Sequence, residues 1–273
     1  MKMTNFDKDM IPIVHKFKLE SSLSDFEEYR NVMTNAANSD AAFDTFKTDK
    51  IYNMVLEHVS YSDGLKYSDV IQSHYPWLFK HFDKFKTNDS VGGATTHEYE
   101  WCGRISPSTL RYIKVLGDLV ENFGTLNDMH IVEIGGGYGG QCKIIMDIFD
   151  VKTYTIIDLP EANMLQKKYV EKLVADSSKI KVVNGHDEFL FDEIPSFNLC
   201  ISNYALTECK GHIREKYIDR VMKYSARGYI TVNYLTNDAR DYFHKQIEKY
   251  HNIRICDENP LTHLQNYCLL WGK

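Results

Sequence analysis

The sequence has no apolar run approaching the ~20 residues needed to cross a bilayer, so nothing in it supports a helical membrane anchor. It has no CxxC pair either: Cys102, Cys142, Cys200, Cys209, Cys256 and Cys268 are scattered along the chain. Without paired spacing or an apparent secretory signal, these read as reduced thiols of a cytoplasmic protein. No His, Cys, Asp and Glu grouping is specific enough to predict a metal. Positive charge is also short. The 32 Lys and Arg against 38 Asp and Glu leave a formal net charge of -6. That gives no field for tracking phosphates, which disfavours a nucleic-acid partner and favours a small or glycan-like acceptor. Repeats and low-complexity tracts are missing, and the six prolines and 15 glycines punctuate the chain without forming a linker.

What is present is the composition of a folded enzyme, 43% hydrophobic and 26% charged over 273 residues. That length suits one α/β domain carrying an extension of around 100 residues. From Asp7 to about Phe85 the pattern is mostly helical. Ser24 and Glu27 stand at capping-box spacing ahead of Tyr29, Val32 and Met33, which share a helix face. Residues 86–103, KTNDSVGGATTHEYEWCG, have the composition of a mobile loop that could cover a site. Ser106 and Pro107 then start a helix whose buried face is Leu110, Ile113, Leu116 and Val120, and Gly124 is placed to end it in a left-handed cap.

After His130 the pattern changes to short β runs, HIVEI, YTII, IKVV, LCIS and YITV. Helical stretches around Gln141–Ile148, Glu161–Leu173 and Ile213–Tyr224 separate them. Such alternation predicts a mainly parallel sheet with helices on both faces. A helix near Ala239–Tyr250, then IRIC and YCLLW, closes the chain with two strands and no helix between, hence an antiparallel strand. The expected fold is therefore α/β, Rossmann-like and seven-stranded. Residues 1–102 form a helical N-terminal region with a lid-like loop, and residues 103–273 form the sheet domain.

The densest signal is VEIGGGYGGQC. Glycines at a strand end permit positive φ and close backbone approach to a ligand at the next helix terminus, which implies a nucleotide-type cofactor. Gly135, Gly137 and Gly140 also satisfy GxGxxG, a pattern shared with dinucleotide binders. Glu133 tips the choice, because an acid there suits the cationic amino end of S-adenosylmethionine (SAM) and is unhelpful beside a pyrophosphate. Asp158, beside Leu159 in TIIDLP, can accept hydrogen bonds from both ribose hydroxyls. In GHDE, His186 or Asp187 can meet the adenine edge. SNYALTE brings Ser202, Asn203 and Tyr204 to the carboxyl edge of the sheet, with Glu208 just beyond as a candidate base or a helix cap.

These residues, with SPSTLRYIKVLGDL upstream, resemble a family of sugar O-methyltransferases over roughly Gly103 to Tyr234. The resemblance implies a SAM-dependent enzyme that methylates a sugar hydroxyl in glycan or glycoside biosynthesis and releases S-adenosylhomocysteine (SAH). By motif it carries Glu133, Gly135, Gly137, Tyr138 and Asp158 to the cofactor pocket and puts Ser202 and Asn203 near the transferred methyl. It implies that Arg111 or Tyr112 of TLRY closes over cofactor or acceptor. The chain departs from the family where Thr207 stands in place of a serine before Glu208. A sugar hydroxyl needs a positioned base, and the candidates in falling order are His97, Glu208, His186 and His212. Three other readings stay open: a small-molecule or polyketide O-methyltransferase, an NAD(P)-dependent oxidoreductase, and a cofactor-binding module without turnover.

Overall fold

The computed structural model describes residues 22, 24–186, 196–233 and 237–272. Its main sheet has seven strands: β3 (His130–Ile134), β4 (Thr153–Asp158), β5 (Ile180–Asn184), β6 (Leu199–Asn203), β7 (Gly228–Val232), β8 (Ile253–Asp257) and β9 (Tyr267–Trp271). Their order is β5-β4-β3-β6-β7-β9-β8. The first five run parallel, and β9 is antiparallel to both β7 and β8. The chain reverses its direction of travel across the sheet between β3 and β6, and a crevice opens there beyond the carboxyl ends of the strands. A separate ribbon, β1 (His97–Tyr99) with β2 (Gly103–Ile105), precedes the sheet.

Side chains alternate across each strand. Ile131 faces the layer of α6 (Pro107–Phe123), α7 (Gly140–Met146) and α8 (Pro160–Leu173), where it joins Leu110, Ile144 and Leu165 in one apolar cluster. Val132 and Ile134 face the opposite layer of α10 (Gly211–Arg220) and α11 (Asn237–Glu248), with Tyr217, Ile218 and Phe243. Strands covered on both faces need no polar side. This is why HIVEI and YITV read as nearly continuous apolar runs.

The pre-sheet helices do not form a core of their own. Tyr29, Met33 and Ala36 of α1 (Glu27–Asn38) and Tyr67 and Ile71 of α4 (Tyr61–His74) belong to the same cluster as α6–α8. α1 packs on α8, and α4 packs on α6. The second contact needs Gly117, where any Cβ would lie 2.2 Å from the ring of Tyr75.

Three local expectations change. Phe26 precedes α1 with no side-chain cap, because the Ser24 hydroxyl donates instead to Glu208 Oε2 at 3.1 Å, so a tertiary contact displaces the capping box. Ser106 does cap α6 by accepting from the Thr109 amide, but Gly124 ends it at φ 78°, ψ -145°, an extended glycine-only conformation and not the left-handed helical one. The 86–103 segment is tied down: Asn88 and Val91 are buried, the Gly92 carbonyl accepts from the Lys47 amide at 2.9 Å, and Trp101 donates to Ser68 at 2.7 Å.

Candidate active site

A cavity of about 570 Å³ fills the crevice at the carboxyl ends of β3, β4 and β6. The size is that of a cofactor or small-ligand site. It gathers nine of the residues singled out from the sequence: Gly135, Gly137, Asp158, Leu159, His186, Asn203, Tyr204, Glu208 and Arg111. Asp187 lies outside the described residues.

The floor is the turn after β3. Gly135 has φ 75°, and a Cβ there would sit 2.1 Å from that of Ala205, so only glycine lets β3 and the β6 turn meet. Asp158 ends β4 and braces the same turn: its carboxylate accepts from the Gly137 amide at 3.0 Å, from the Leu159 amide at 2.8 Å and from Gln166 at 2.9 Å. Burial pushes its pKa up to about 6, against the pull of those donors, so the group is largely ionised at neutral pH.

The far wall is the turn after β6. Tyr204 adopts φ 67°, a costly conformation for a bulky residue. Its amide bonds to the Thr231 carbonyl at 3.0 Å, and its hydroxyl donates to Glu258. Glu258 in turn holds the β8–β9 connection through the Thr262 amide and hydroxyl and Asn266. Glu208, on the short helix α9 (Ala205–Glu208), accepts from Asn233 at 3.1 Å and from Ser24 at 3.1 Å. Burial raises its pKa, which strengthens it as a proton acceptor.

Six predicted site residues lie elsewhere. Glu133 shares the Ile131 face of β3, so its carboxylate sits behind the glycine turn, accepting from the Tyr154 hydroxyl at 2.9 Å. Burial raises its pKa to about 8, which favours the protonated form at neutral pH while no cation stands beside it. Tyr138 is buried among Phe46, Tyr112 and Tyr169, with the Lys47 ammonium 4.2 Å from its ring centroid, and it supports the turn from below. Tyr112 is buried in that same layer. Ser202 is also interior: its hydroxyl donates to the Ile134 carbonyl at 2.9 Å and accepts from the Leu206 amide at 3.1 Å, locking β3 to β6. His97 lines a separate cavity of about 220 Å³ and packs against Tyr61 at 5.1 Å between ring centroids. His212 is exposed on α10 and lines neither cavity.

The sequence reading missed the wall opposite the sheet. His58, Tyr67, Thr262, His263 and Asn266 all line the main cavity. Burial, and then the charge of Arg111, push the His58 pKa down to about 4, which keeps its ring neutral at physiological pH. The one usable signal was the polar DENPLTHLQN stretch between the two closing strands, longer than a tight hairpin needs.

The Glu133 position gives a stability prediction. Its carboxyl has an ordinary value of 4.5 and a folded value of about 8, so the folded state holds the proton more tightly. Stability from this group is complete below pH ~4.5 and is lost as pH rises through about 8. Glu133→Gln removes that dependence. Urea melts should show the variant close to the parent protein at pH 5 and more stable at pH 9, by up to about 1.4 kcal/mol per pH unit of the interval. Parallel curves for the two proteins across that range would contradict a buried, protonating Glu133.

Among solved structures the chain is similar to precorrin-6y C5,15-methyltransferase from Geobacter metallireducens GS-15, at 17% identity and TM-score 0.44, covering 59% of this chain and 89% of that one. It is also similar to the methyltransferase domain of bacterial CtHen1, at 8% and 0.46 over 59% and 96% of the two chains. A third likeness is to SMU.1697c from Streptococcus mutans, solved in complex with SAH, at 14% and 0.42 over 59% and 97%. No protein-family model matches the sequence, and no curated protein matches it. Likenesses this distant carry no weight for cofactor or acceptor.

Proposed function

We propose that this chain is a SAM-dependent O-methyltransferase acting on a sugar or glycan hydroxyl. The observation that carries the reading is a single cavity that joins a glycine turn and a ribose-competent carboxylate, Asp158, to a second, half-buried carboxylate, Glu208, and to polar walls from outside the sheet. Asp158 would hold the ribose hydroxyls, Leu159 and the Gly185–His186 turn would flank the adenine, and the Gly135–Gly137 backbone would carry the amino-acid end. The orphaned Nδ2 of Asn203 supports the fit: it is buried without a hydrogen-bond partner beside the cavity, so a bound ligand would satisfy it.

With Glu133 turned away, the sheet supplies the argument against a nicotinamide cofactor. The dinucleotide-binding order runs on with parallel strands, whereas here antiparallel β9 is inserted between β7 and β8.

SAM, when bound, supplies a methyl group on a sulfonium whose departure needs no acid. The remaining work belongs to the chain. Glu208, fixed by Asn233 and Ser24, would take the acceptor hydroxyl's proton. The walls from α4 and the β8–β9 connection would align the oxygen, and alignment can supply much of the rate. The sugar class rests on the motif resemblance, supported by the hydroxyl, amide and imidazole groups of Thr262, Asn266 and His58 on the acceptor side. Incubation with methyl-labelled SAM and a panel of monosaccharides, nucleotide sugars and glycosides should give an O-methylated sugar. Cofactor binding with no methyl transfer to any acceptor would reduce the protein to a binding module, and transfer only to phenolic or polyketide hydroxyls would remove the sugar.

A further inference from the structure

Arg111 is 9% exposed and lines the main cavity from the first turns of α6. Its guanidinium is only partly satisfied. One terminal nitrogen donates to the Leu56 carbonyl at 3.4 Å, a long contact, a side-chain hydrogen bond joins it to Tyr112, and Nε has no partner. It forms no ion pair among the described residues and lies over the rings of Tyr112 and Tyr204 at 5.5 and 5.8 Å. Two of the three acids around it are engaged elsewhere. Glu57 is attracted to Lys47 first and to Arg111 after it, takes a hydrogen bond from Ser108 and keeps Oε1 without a partner, but it does not line the main cavity. Asp63 pairs with Lys66 at 2.9 Å, and Glu258 is held by Tyr204, Thr262 and Asn266.

A buried guanidinium that forms no ion pair is costly to desolvate, and a site that tolerates this cost can supply the counter-ion on binding. Arg fits a carboxylate better than any other cation does, because its planar fork donates two parallel hydrogen bonds. The neighbouring Asn203 Nδ2 is a second orphan donor at the same cavity, so the missing partner is an acceptor and not a cation. We infer that Arg111 anchors a carboxylate of the bound ligand. This rests on the methyltransferase reading for the identity of that ligand, since both the amino-acid end of the cofactor and a uronate-type acceptor present the same group. Leu56, which accepts from Arg111, lies against the glycine turn, where a Cβ on Gly137 would meet its Cδ1 at 2.8 Å. Arg111 thus stands where the two halves of the cavity meet.

The test uses the full-length protein with Arg111→Met and Arg111→Lys, and four probes: SAH, 5′-methylthioadenosine, which lacks the carboxylate, D-glucuronate and D-glucose. Since Arg111→Met removes an unpaired buried charge, the ligand-free variant should melt no lower than the parent protein, so lost binding cannot be assigned to misfolding. If the cofactor supplies the carboxylate, Arg111→Met weakens SAH about tenfold to a hundredfold, leaves 5′-methylthioadenosine unchanged, and Arg111→Lys recovers part of the loss. If the acceptor supplies it, SAH binding is unchanged, while glucuronate, but not glucose, raises the melting temperature of the parent protein and fails to do so in Arg111→Met. The inference is overturned if Arg111→Met binds every probe as the parent does, if SAH and 5′-methylthioadenosine weaken equally, or if the parent binds neither carboxylate probe. Failure of SAH alone, with glucuronate still read through Arg111, would sink the methyltransferase reading and leave the anion anchor standing.

Discussion

Asp158→Asn lowers SAH affinity by about 100-fold, the loss expected when two ribose hydroxyls can no longer donate to an ionised carboxylate. The same carboxylate braces the glycine turn through the Gly137 amide, so the substitution also loosens the floor of the cavity. The pH dependence tests whether binding needs the ionised carboxylate. The folded pKa is about 6. Affinity in the parent protein should therefore be flat above pH ~6 and fall with protonation below it, approaching tenfold per unit, whereas the asparagine variant should show no such break. Isothermal titration at pH 5 and 7.5 on both proteins reads this directly. A folded asparagine variant with parental affinity would remove Asp158 from the cofactor site.

The second large effect is on turnover. Glu208→Gln keeps the shape and the Ser24 contact but cannot accept a proton, so kcat should fall by about 10²- to 10⁴-fold with little change in cofactor affinity. His97→Ala is the matched control, since that ring lies in the neighbouring cavity beside Tyr61 and should leave kcat intact. If His97→Ala loses turnover while Glu208→Gln retains it, the order of candidates read from the sequence is restored and the geometric assignment of the base is wrong.

Much of the fold was legible because buried parallel strands have few degrees of freedom in sequence. β3 and β9 coincide with HIVEI and YCLLW, and the other strands differ only at their ends. Helix ends were harder. The stretch expected as Ile213–Tyr224 is α10 at Gly211–Arg220 followed by a separate 3-10 turn at Met222–Tyr224. Ser24 shows why local signals fail: a hydroxyl that suits a helix cap found a stronger partner in Glu208, whose position depends on the whole fold.

The same division holds at the site. Gly135, Asp158 and Asn203 were visible because the strand that carries each also determines where it ends, and strand ends are where this sheet opens. Glu133 was placed on the right strand but on the wrong side of the turn. The alternation that pairs it with Ile131 was in the sequence and points to the helix layer. No periodicity could have joined His58 to Asn266 across the chain, or shown that Glu258 would hold Tyr204 in a strained turn. Those arrangements exist only once the segment ahead of α4 and the β8–β9 connection have closed over the sheet.

The central claim, that the glycine turn and Asp158 hold an adenosyl cofactor, is tested most directly by calorimetric titration of the purified protein with SAM, SAH and NAD⁺ under identical conditions. The account predicts saturable binding of both adenosyl ligands and none of NAD⁺. Binding of NAD⁺ alone would contradict it and turn the same turn and carboxylate into a dinucleotide site.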